Sequence, residues 1–355
     1  MNTKQISISN HLAERISKLS TREDVLEYTR ALVYKLTESE SKYDDFETKQ
    51  FMSLPEQSRA DILGILVEHY SDKHIKVLFR KISEIKQIHV PEGKEKKVIL
   101  ASSSPRRRYI LGEVFKLNFD SESAHLEECK PRFYKHLSTI TKVIALNKTF
   151  SFIDNQQING GIILTSDTLM HSQGTIGGKP QGNTKSEQIA DAEKKIMSMF
   201  GSAHTTSSSI IVFDANNGEI YIGEDDSTIT FKARSSATDV VVNAYLDYAK
   251  NNVAGRGPLG KAGGIGIQEP EILSLIETIH GDPFTTVGLS IYETKRLLEE
   301  CGIKIEDALI DTDTLYSSIW GANEWQGKAV VVLGIAPTDN NFVPLAKSKI
   351  RLRSH

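Results

Sequence analysis

The sequence has few cysteines, no long apolar run and almost no excess charge, and each shortage excludes a class of protein. Two cysteines in 355 residues exclude a secreted disulfide framework and a zinc site built from cysteine alone. No segment approaches the roughly 18 apolar residues of a membrane span, and the first twenty residues lack the apolar core of a secretory signal. The formal net charge of −3 excludes a chain that is basic throughout for nucleic acid. We expect a cytoplasmic protein that binds no membrane.

Glycine is nearly absent from the first quarter of the chain, where Gly64 stands alone. Apolar residues at helical spacing follow the capping signature Ser20–Glu23, follow Pro55, and recur over residues 75–85. This pattern predicts a small all-helical domain over residues 1–95. The sequence identifies no catalytic or ligand-binding residues in this domain.

The pattern changes after a charged linker. Short apolar runs at 98–101, 161–165, 209–213 and 228–231 read as strands, and the helical patterns at 186–200 and 237–250 lie between them. This alternation is typical of an α/β fold. A further strand candidate, 329–335, lies in a tail that ends in a basic segment.

A cluster of hydroxyls and arginines follows the first apolar run, in the sequence Ser102-Ser103-Ser104-Pro105-Arg106-Arg107-Arg108. Hydroxyls and backbone N–H groups at a helix start suit phosphate, and the arginine fork binds phosphate oxygens in pairs. The alternative is a solvated basic helix face, because charge runs usually lie on the surface.

Three weaker signals follow. Glu127-Glu128 is a pair of carboxylates that alone indicates a solvated loop. Asp167 follows an apolar run directly, where it suits a metal ligand, a general base or only a helix cap. The turn Gly177–Pro180 presents Lys179 either to a phosphate or to solvent.

Each of these signals is weak alone, but their order along the chain is specific to one protein family. Val98–Arg107 resembles the opening signature of the Maf family of nucleotide pyrophosphatases, L-A-S-x-S-P-R-R, and the family's later motifs follow over residues 97–302. The matching segments are Phe119–Glu128 for the stretch closed by D-E, Lys148 for K-A, Ser166–Thr168 for A-D-T, Gly178–Pro180 for g-K-P, Phe200–His204 for L-s-G-x-x-H, Tyr245 with Gly260–Gln268 for Y…K-A-G-a-y-g-I-Q, and Ile279–Asp282 with Val287–Leu289 for the ending.

Some positions depart from the family's pattern. Thr149 stands where the family usually has Ala, Thr285-Thr286 replaces Asn-Val, and Ser290 replaces a Pro. The loop 250–259 is slightly expanded. These departures concern packing and substrate detail more than the class of reaction.

The resemblance implies a fold and a domain arrangement. It implies a Maf-like α/β core over residues 96–303, with a twisted mixed central sheet flanked by helices. Residues 304–355 are then a C-terminal extension that packs on the core. The resemblance also suggests a homodimer.

The resemblance further implies hydrolysis of a nucleoside triphosphate between its α and β phosphates. Asp167, Glu128 and Lys179 are then catalytic, with Asp167 and Glu128 holding a divalent metal: Mg²⁺, or alternatively Mn²⁺ or Co²⁺. Thr168 and Gln268 are similar to the branch that prefers dTTP and UTP, and a glutamine amide suits the O4/N3 edge of a pyrimidine. The phosphates are assigned to Ser102, Ser104, Arg106, Arg107 and Lys148.

Two rival hypotheses remain. A regulatory or RNA-binding protein on a decayed Maf core would have lost the catalytic carboxylates. Because Glu128 and Asp167 are present, we do not expect nucleic acid as a partner. A phosphatase of the haloacid dehalogenase type would use Asp311 and Asp313, but Leu315 stands where a Thr or Val is required and too little chain follows.

Overall fold

The computed structural model describes most of the chain. The described residues are 19–38, 46–88, 97–123, 129–155, 158, 160–172, 175–253 and 255–305, with the backbone of three short strands between 329 and 344. The candidate Asp311–Asp313 pair lies outside them. Within the described residues, no helix combines the length and the hydropathy needed to cross a membrane.

Among the described residues, four helices precede the first strand, and the apolar spacing predicts three of them; the second was not predicted. They are α1 (Arg22–Glu38), α2 (Phe46–Ser53), α3 (Glu56–His69) and α4 (Asp72–Ile85). We call them the helical segment. Pro55 directly precedes α3, where the helix requires no N–H from it.

The cap of α1 lies one residue later than the sequence predicts. The predicted pair was Ser20 and Glu23, but the reciprocal bonds join Thr21 and Asp24. The Asp24 N–H donates to Thr21 Oγ1 (3.2 Å), and the Thr21 N–H donates to Asp24 Oδ2 (3.1 Å). The two frames overlap in the sequence, and the shorter aspartate closes the turn.

Strands and helices alternate after the linker, which confirms the α/β class. The strands are β1 (Val98–Leu100), β2 (Phe119–Ser121), β3 (Ile162–Ser172), β4 (Thr175–Gly177), β5 (Ala203–Asp214), β6 (Glu219–Phe231), β7 (Ile276–His280), β8 (Ala329–Val331), β9 (Ile335–Ala336) and β10 (Val343–Pro344). The helices are α5 (Pro105–Tyr109), continued by a π-helical turn (Ile110–Val114), α6 (Leu137–Asn155), α7 (Lys185–Met197), α8 (Ser236–Lys250), α9 (Pro270–Leu275), α10 (Pro283–Val287) and α11 (Ile291–Glu300), with a 3₁₀ turn at Ala262–Gly264.

The main sheet has the strand order β2-β1-β3-β5-β6-β7-β8, and β4 pairs with β3. It is mixed, because β1 runs parallel to β2 and β3 whereas β7 runs antiparallel to β6. The predicted mixed central sheet is therefore confirmed. Three strands are longer than predicted. The strand β3 continues past Thr165 to Ser172, where β4 pairs with its second half, and β5 and β6 begin earlier than predicted, at Ala203 and Glu219.

The chain forms two compact units. The first contains residues 1–103, 118–166 and 210–222, and the second contains residues 104–117, 167–209 and 223–355. The helical segment thus belongs to the same unit as β1, β2 and α6. The domain boundaries at 95 and 303 stay predictions.

The hydrophobic core of the first unit joins the helical segment to α6. The two pack through the α3–α6 contact. Phe150 of α6 meets Phe51 edge to face, with ring centroids 5.8 Å apart, and the Arg59 guanidinium lies 4.6 Å from the Phe150 ring centre. Gly64 allows close approach, since a Cβ there would lie 2.9 Å from Pro131. Of the 19 residues of α6, 14 are buried, so more than one face of this helix is covered.

Polar contacts fix the chain just before α6. The buried Asp61 carboxylate accepts from the Arg132 N–H (2.7 Å) and from Arg132 Nε (2.8 Å). Glu68 accepts from the His136 N–H (3.1 Å) and from Thr139 Oγ1 (3.0 Å) at the start of α6. The helical segment therefore supplies acceptors for N–H groups that a helix start leaves unpaired.

Candidate active site

The serine and arginine cluster begins a helix, as predicted. Ser104 is the N-cap of α5, and its hydroxyl accepts from the Arg107 N–H (3.5 Å). Pro105 occupies the first helical position. The cluster therefore lies at a helix start immediately after β1, the predicted position.

Backbone carbonyls hold the two signature arginines. Arg106 Nε donates to Val287 O (3.2 Å), and Arg107 Nε donates to Gly288 O (2.9 Å). Both side chains are half-buried, whereas Arg108 is exposed. Since a guanidinium is a rigid plane with five donors, a bond through Nε fixes the direction of the rest of the fork.

The Gly288 carbonyl links Arg107 to β3. Thr168 Oγ1 donates to Gly288 O (3.4 Å) and lies 3.1 Å from Ser208 Oγ, which in turn donates to Asp167 O (3.3 Å). Two motifs 120 residues apart in sequence, Ser166–Thr168 and Val287–Leu289, therefore meet at one acceptor.

Asp167 lies inside β3 with only 6% of its surface exposed. No helix begins there, so the helix-cap alternative is wrong. Its predicted metal partner Glu128 lies outside the described residues. Among the residues that the structure describes, no three His, Cys, Asp or Glu side chains form a metal cluster. The Asp167 carboxylate is a hard oxygen donor that suits Mg²⁺, and the metal stays a prediction.

Ser102 and Lys148 belong to the first unit. The Ala101 N–H donates to Leu164 O (2.9 Å), so Ser102 directly follows the paired end of β1, and its carbonyl accepts from Ser121 Oγ (3.0 Å). Lys148 is half-buried on α6. The neighbouring Thr149, a departure from the family pattern, has its hydroxyl 2.7 Å from the Thr165 hydroxyl. That departure is therefore a packing feature between α6 and β3.

Lys179 is exposed on its turn. Lys195 Nζ (3.0 Å) and Gln181 Nε2 (2.8 Å) both donate to its carbonyl. The preceding carbonyl, Gly178 O, accepts from the Gly263 N–H (3.2 Å). The turn that presents Lys179 is thus joined to the loop that carries Gln268.

Gln268 is half-buried at the end of a loop rich in glycine. Gly263 and Gly264 have φ angles of 63° and 73°, which L-residues rarely adopt. A Cβ on Gly263 would lie 2.8 Å from Met170 Sδ. This crowding and the positive φ angle show that the turn requires a glycine at position 263.

His204, the last residue of the Phe200–His204 motif, is buried. Its Nε2 lies 2.8 Å from Ser202 Oγ and 3.3 Å from Met199 O. Burial lowers the pKa of its imidazole. His204 is therefore a hydrogen-bonding core residue.

Five charged residues of the second unit had no role predicted from the sequence: Asp225, Arg256, Lys261, Glu269 and Asp282. Lys261 and Asp282 lie within motifs already noted, but their burial has no signal in a single sequence. Asp282 accepts from the Phe284 N–H (2.8 Å) and the Ile291 N–H (2.6 Å), which fixes α10 and hence the carbonyls that hold the arginines.

Asp225 and Asp282 make stability depend on pH. Burial, followed by the nearby Asp225 charge, raises the pKa of Asp282 to about 7. Burial also raises the pKa of Asp225, although a hydrogen bond from Thr285 (2.5 Å) opposes the rise, and the Glu293 charge adds to it. Because these pKa values exceed those of the unfolded chain, the stabilisation is full below about pH 4 and is lost as the pH rises through about 7.

We predict that Asp225→Asn is more stable than the parent chain at pH 8, by about 1 kcal/mol, and that this gain fades towards pH 5. The asparagine keeps an acceptor for Thr285 and removes the charge that opposes ionisation of Asp282. Urea unfolding at pH 5, 6, 7 and 8 measures the difference. Glu277→Gln, at an exposed carboxylate, controls for net charge. A gain that is the same at every pH would contradict the prediction.

Comparison with protein families gives one match that covers more than half of the chain. The model described as Maf-like protein matches residues 97–301. These bounds agree with the range 97–302 over which the sequence motifs recur. The match excludes the helical segment.

Curated relatives cover the same region. The chain is 27% identical over 207 residues to the dTTP/UTP pyrophosphatase of Clostridium tetani (strain Massachusetts / E88), covering 58% of this chain and 98% of that protein. It is 30% identical over 209 residues to the dTTP/UTP pyrophosphatase of Moorella thermoacetica (strain ATCC 39073 / JCM 9320), covering 59% and 97%. It is 30% identical over 232 residues to that of Bacillus cereus (strain ATCC 10987 / NRS 248), covering 62% and 98%. The relatives thus match almost end to end, while over a third of this chain lies outside the alignments.

Proposed function

Because this chain belongs to the Maf family, we propose that it hydrolyses nucleoside triphosphates between the α and β phosphates, releasing a nucleoside monophosphate and pyrophosphate. The observation that carries the proposal is the shared carbonyl of Gly288, which accepts from Arg107 and Thr168 and so joins a signature arginine to the strand that contains Asp167. An oriented arginine suits a reaction in which negative charge moves to the leaving pyrophosphate.

The phosphate-binding role is assigned to the cationic and hydroxyl side chains. Arg106, Arg107, Lys148 and Lys179 neutralise the polyphosphate, and Ser102 and Ser104 donate hydroxyl hydrogen bonds to its oxygens. Burial lowers the pKa of Arg106, and the electrostatic effects of Tyr245 and Glu269 oppose this shift. An arginine stays protonated in proteins, so its positive charge is available to the phosphates. Asp167 aligns or deprotonates the attacking water.

Asp167 and Glu128 are the proposed metal ligands. A Mg²⁺ ion held by these carboxylates would offset the charge of the phosphates, and Mn²⁺ or Co²⁺ could take its place. The part of the site that the structure describes supports this assignment through Asp167, a hard oxygen donor that is almost fully buried.

The substrate preference that we propose is dTTP and UTP. Gln268 offers both a donor and an acceptor to the edge of a pyrimidine, and Thr168 is its partner in base binding. Three relatives carry the name dTTP/UTP pyrophosphatase, which supports the same preference. We further propose a cytoplasmic homodimer.

A panel of nucleoside triphosphates with Mg²⁺, Mn²⁺ and Co²⁺ tests this function. Malachite green should detect phosphate from dTTP and UTP only after inorganic pyrophosphatase is added, because the first product is pyrophosphate. Phosphate without that enzyme would place cleavage at the terminal phosphate. Preference for a purine would overturn the role of Gln268. If no nucleotide is hydrolysed, the proposed enzymatic function is overturned, and a regulatory or RNA-binding protein on a decayed Maf core is favoured.

A further inference from the structure

Glu269 collects donors from one short stretch of chain. It directly follows Gln268, and its side chain is only 7% exposed. Its carboxylate accepts from Lys261 Nζ, from the Gly257 N–H (2.9 Å) and from Arg256 Nε (3.4 Å). All three donors lie in residues 256–261, so one side chain joins the two ends of a loop.

The charges in this cluster depend on one another. Lys261 is 6% exposed, and a buried ammonium is costly unless a paired anion and hydrogen bonds compensate it. Burial lowers the pKa of Lys261, and the Glu269 carboxylate opposes that shift. Arg256 is 37% exposed and also bonds Glu271 (2.7 Å). Glu269 is thus the buried partner of Lys261, while Arg256 has a second anion.

The joined loop has little regular structure of its own. Residues 257–269, which we call the glycine loop, contain a single 3₁₀ turn. Four of its glycines have positive φ, and they are Gly257, Gly260, Gly263 and Gly264. Glycine loses more conformational entropy on ordering than other residues do. The shape of the glycine loop therefore depends strongly on the hydrogen bonds that close it.

The glycine loop also contacts groups that we assign to the substrate. Gln268 is its next-to-last residue. Gly263 N–H bonds Gly178 O, next to Lys179 (3.2 Å). The Glu269 charge acts on Arg106, since it raises the pKa that burial lowers. Glu269 therefore closes a loop that contains the proposed base-binding Gln268 and that is hydrogen-bonded to the turn of Lys179.

We propose that Glu269 is a positioning residue: by closing the glycine loop, it sets how strongly Gln268 discriminates between nucleobases. This inference rests on the proposed function. It assigns to the expanded loop around Arg256 the role of supplying donors to Glu269.

The test is Glu269→Gln in the full chain, measured as the ratio of kcat/KM for dTTP to kcat/KM for dGTP. We expect this ratio to fall by about tenfold or more, because Gln268 is no longer held. The ratio is independent of the folded fraction, which cancels between two substrates of one preparation. A merely structural role would leave it unchanged.

A double variant, Glu269→Gln with Lys261→Met, separates positioning from stability. It removes the uncompensated lysine, so the melting temperature should recover while the ratio stays low. Glu277→Gln is the control for charge. If the ratio of Glu269→Gln is within twofold of that of the parent chain, the inference is overturned but the proposed function is not. A double variant whose ratio returns to that of the parent chain would have the same consequence. A parent chain that hydrolyses no nucleotide would overturn both the inference and the proposed function.

Discussion

A chain that begins at Lys97 should fail to fold, although it retains the whole family match from residue 97 to 301. Val143, Leu146, Phe150 and Ile153 recur at helical spacing along α6 and belong to the same buried cluster as α1–α4. Phe150 contacts Phe51 and Arg59 directly. Exposure of each such side chain costs about 1.5–3 kcal/mol, and their sum reaches the 5–15 kcal/mol that stabilise a typical domain.

Size-exclusion chromatography with light scattering and circular dichroism measures this outcome. A chain that begins at Leu19 is the matched control, since it retains α1–α4 and should fold. Residues 19–96, co-expressed as a separate polypeptide, should restore solubility to the shorter chain. A 97–355 chain that is monodisperse and unfolds cooperatively would contradict the prediction and would make the helical segment an independent domain.

Asp167→Asn should lower kcat on the preferred nucleotide by about 100-fold or more. Asparagine matches aspartate in shape, and the Asp167 carbonyl still accepts from Ser208, so β3 should be preserved. The substitution removes the negative charge needed for a metal ion or for an attacking water. Steady-state release of pyrophosphate with Mg²⁺ measures the loss.

Asp214→Asn is the matched control for this variant. Asp214 is a buried aspartate at the end of β5 and binds the Asn216 N–H (2.9 Å) rather than any candidate site residue. It should retain activity. Equal losses in both variants would indicate a general effect of altering buried aspartates, and an active Asp167→Asn would remove Asp167 from the proposed chemistry.

The sequence predicted the helix start at Ser104 and the order of the motifs, because capping and motif spacing are local properties. It did not predict that Arg107 and Thr168 share the carbonyl of Gly288, since a backbone acceptor has no residue signature. Apolar spacing indicated that α1, α3 and α4 have buried faces, but it could not identify α6 as the helix against which they pack.

Charged residues were the least predictable part of the site. Nothing in the sequence indicates that Glu269 and Lys261 form an ion pair, and only the fold brings them together in the interior. The predicted position of the α1 capping box was wrong for a simpler reason. Ser20–Glu23 and Thr21–Asp24 both satisfy the pattern, and capping propensity does not distinguish two overlapping frames.

The position of the helical segment before α6 in the chain bears on synthesis at the ribosome. Helices α1–α4 emerge first, and chains generally begin to fold from the N-terminal side during translation. When α6 emerges, the surface that covers Phe150 is already present, so the apolar stripe of α6 is protected from aggregation. A circular permutant with residues 19–96 moved to the C-terminus would contain the same native contacts. During its translation, however, α6 would emerge before the helical segment and would stay exposed until synthesis ends.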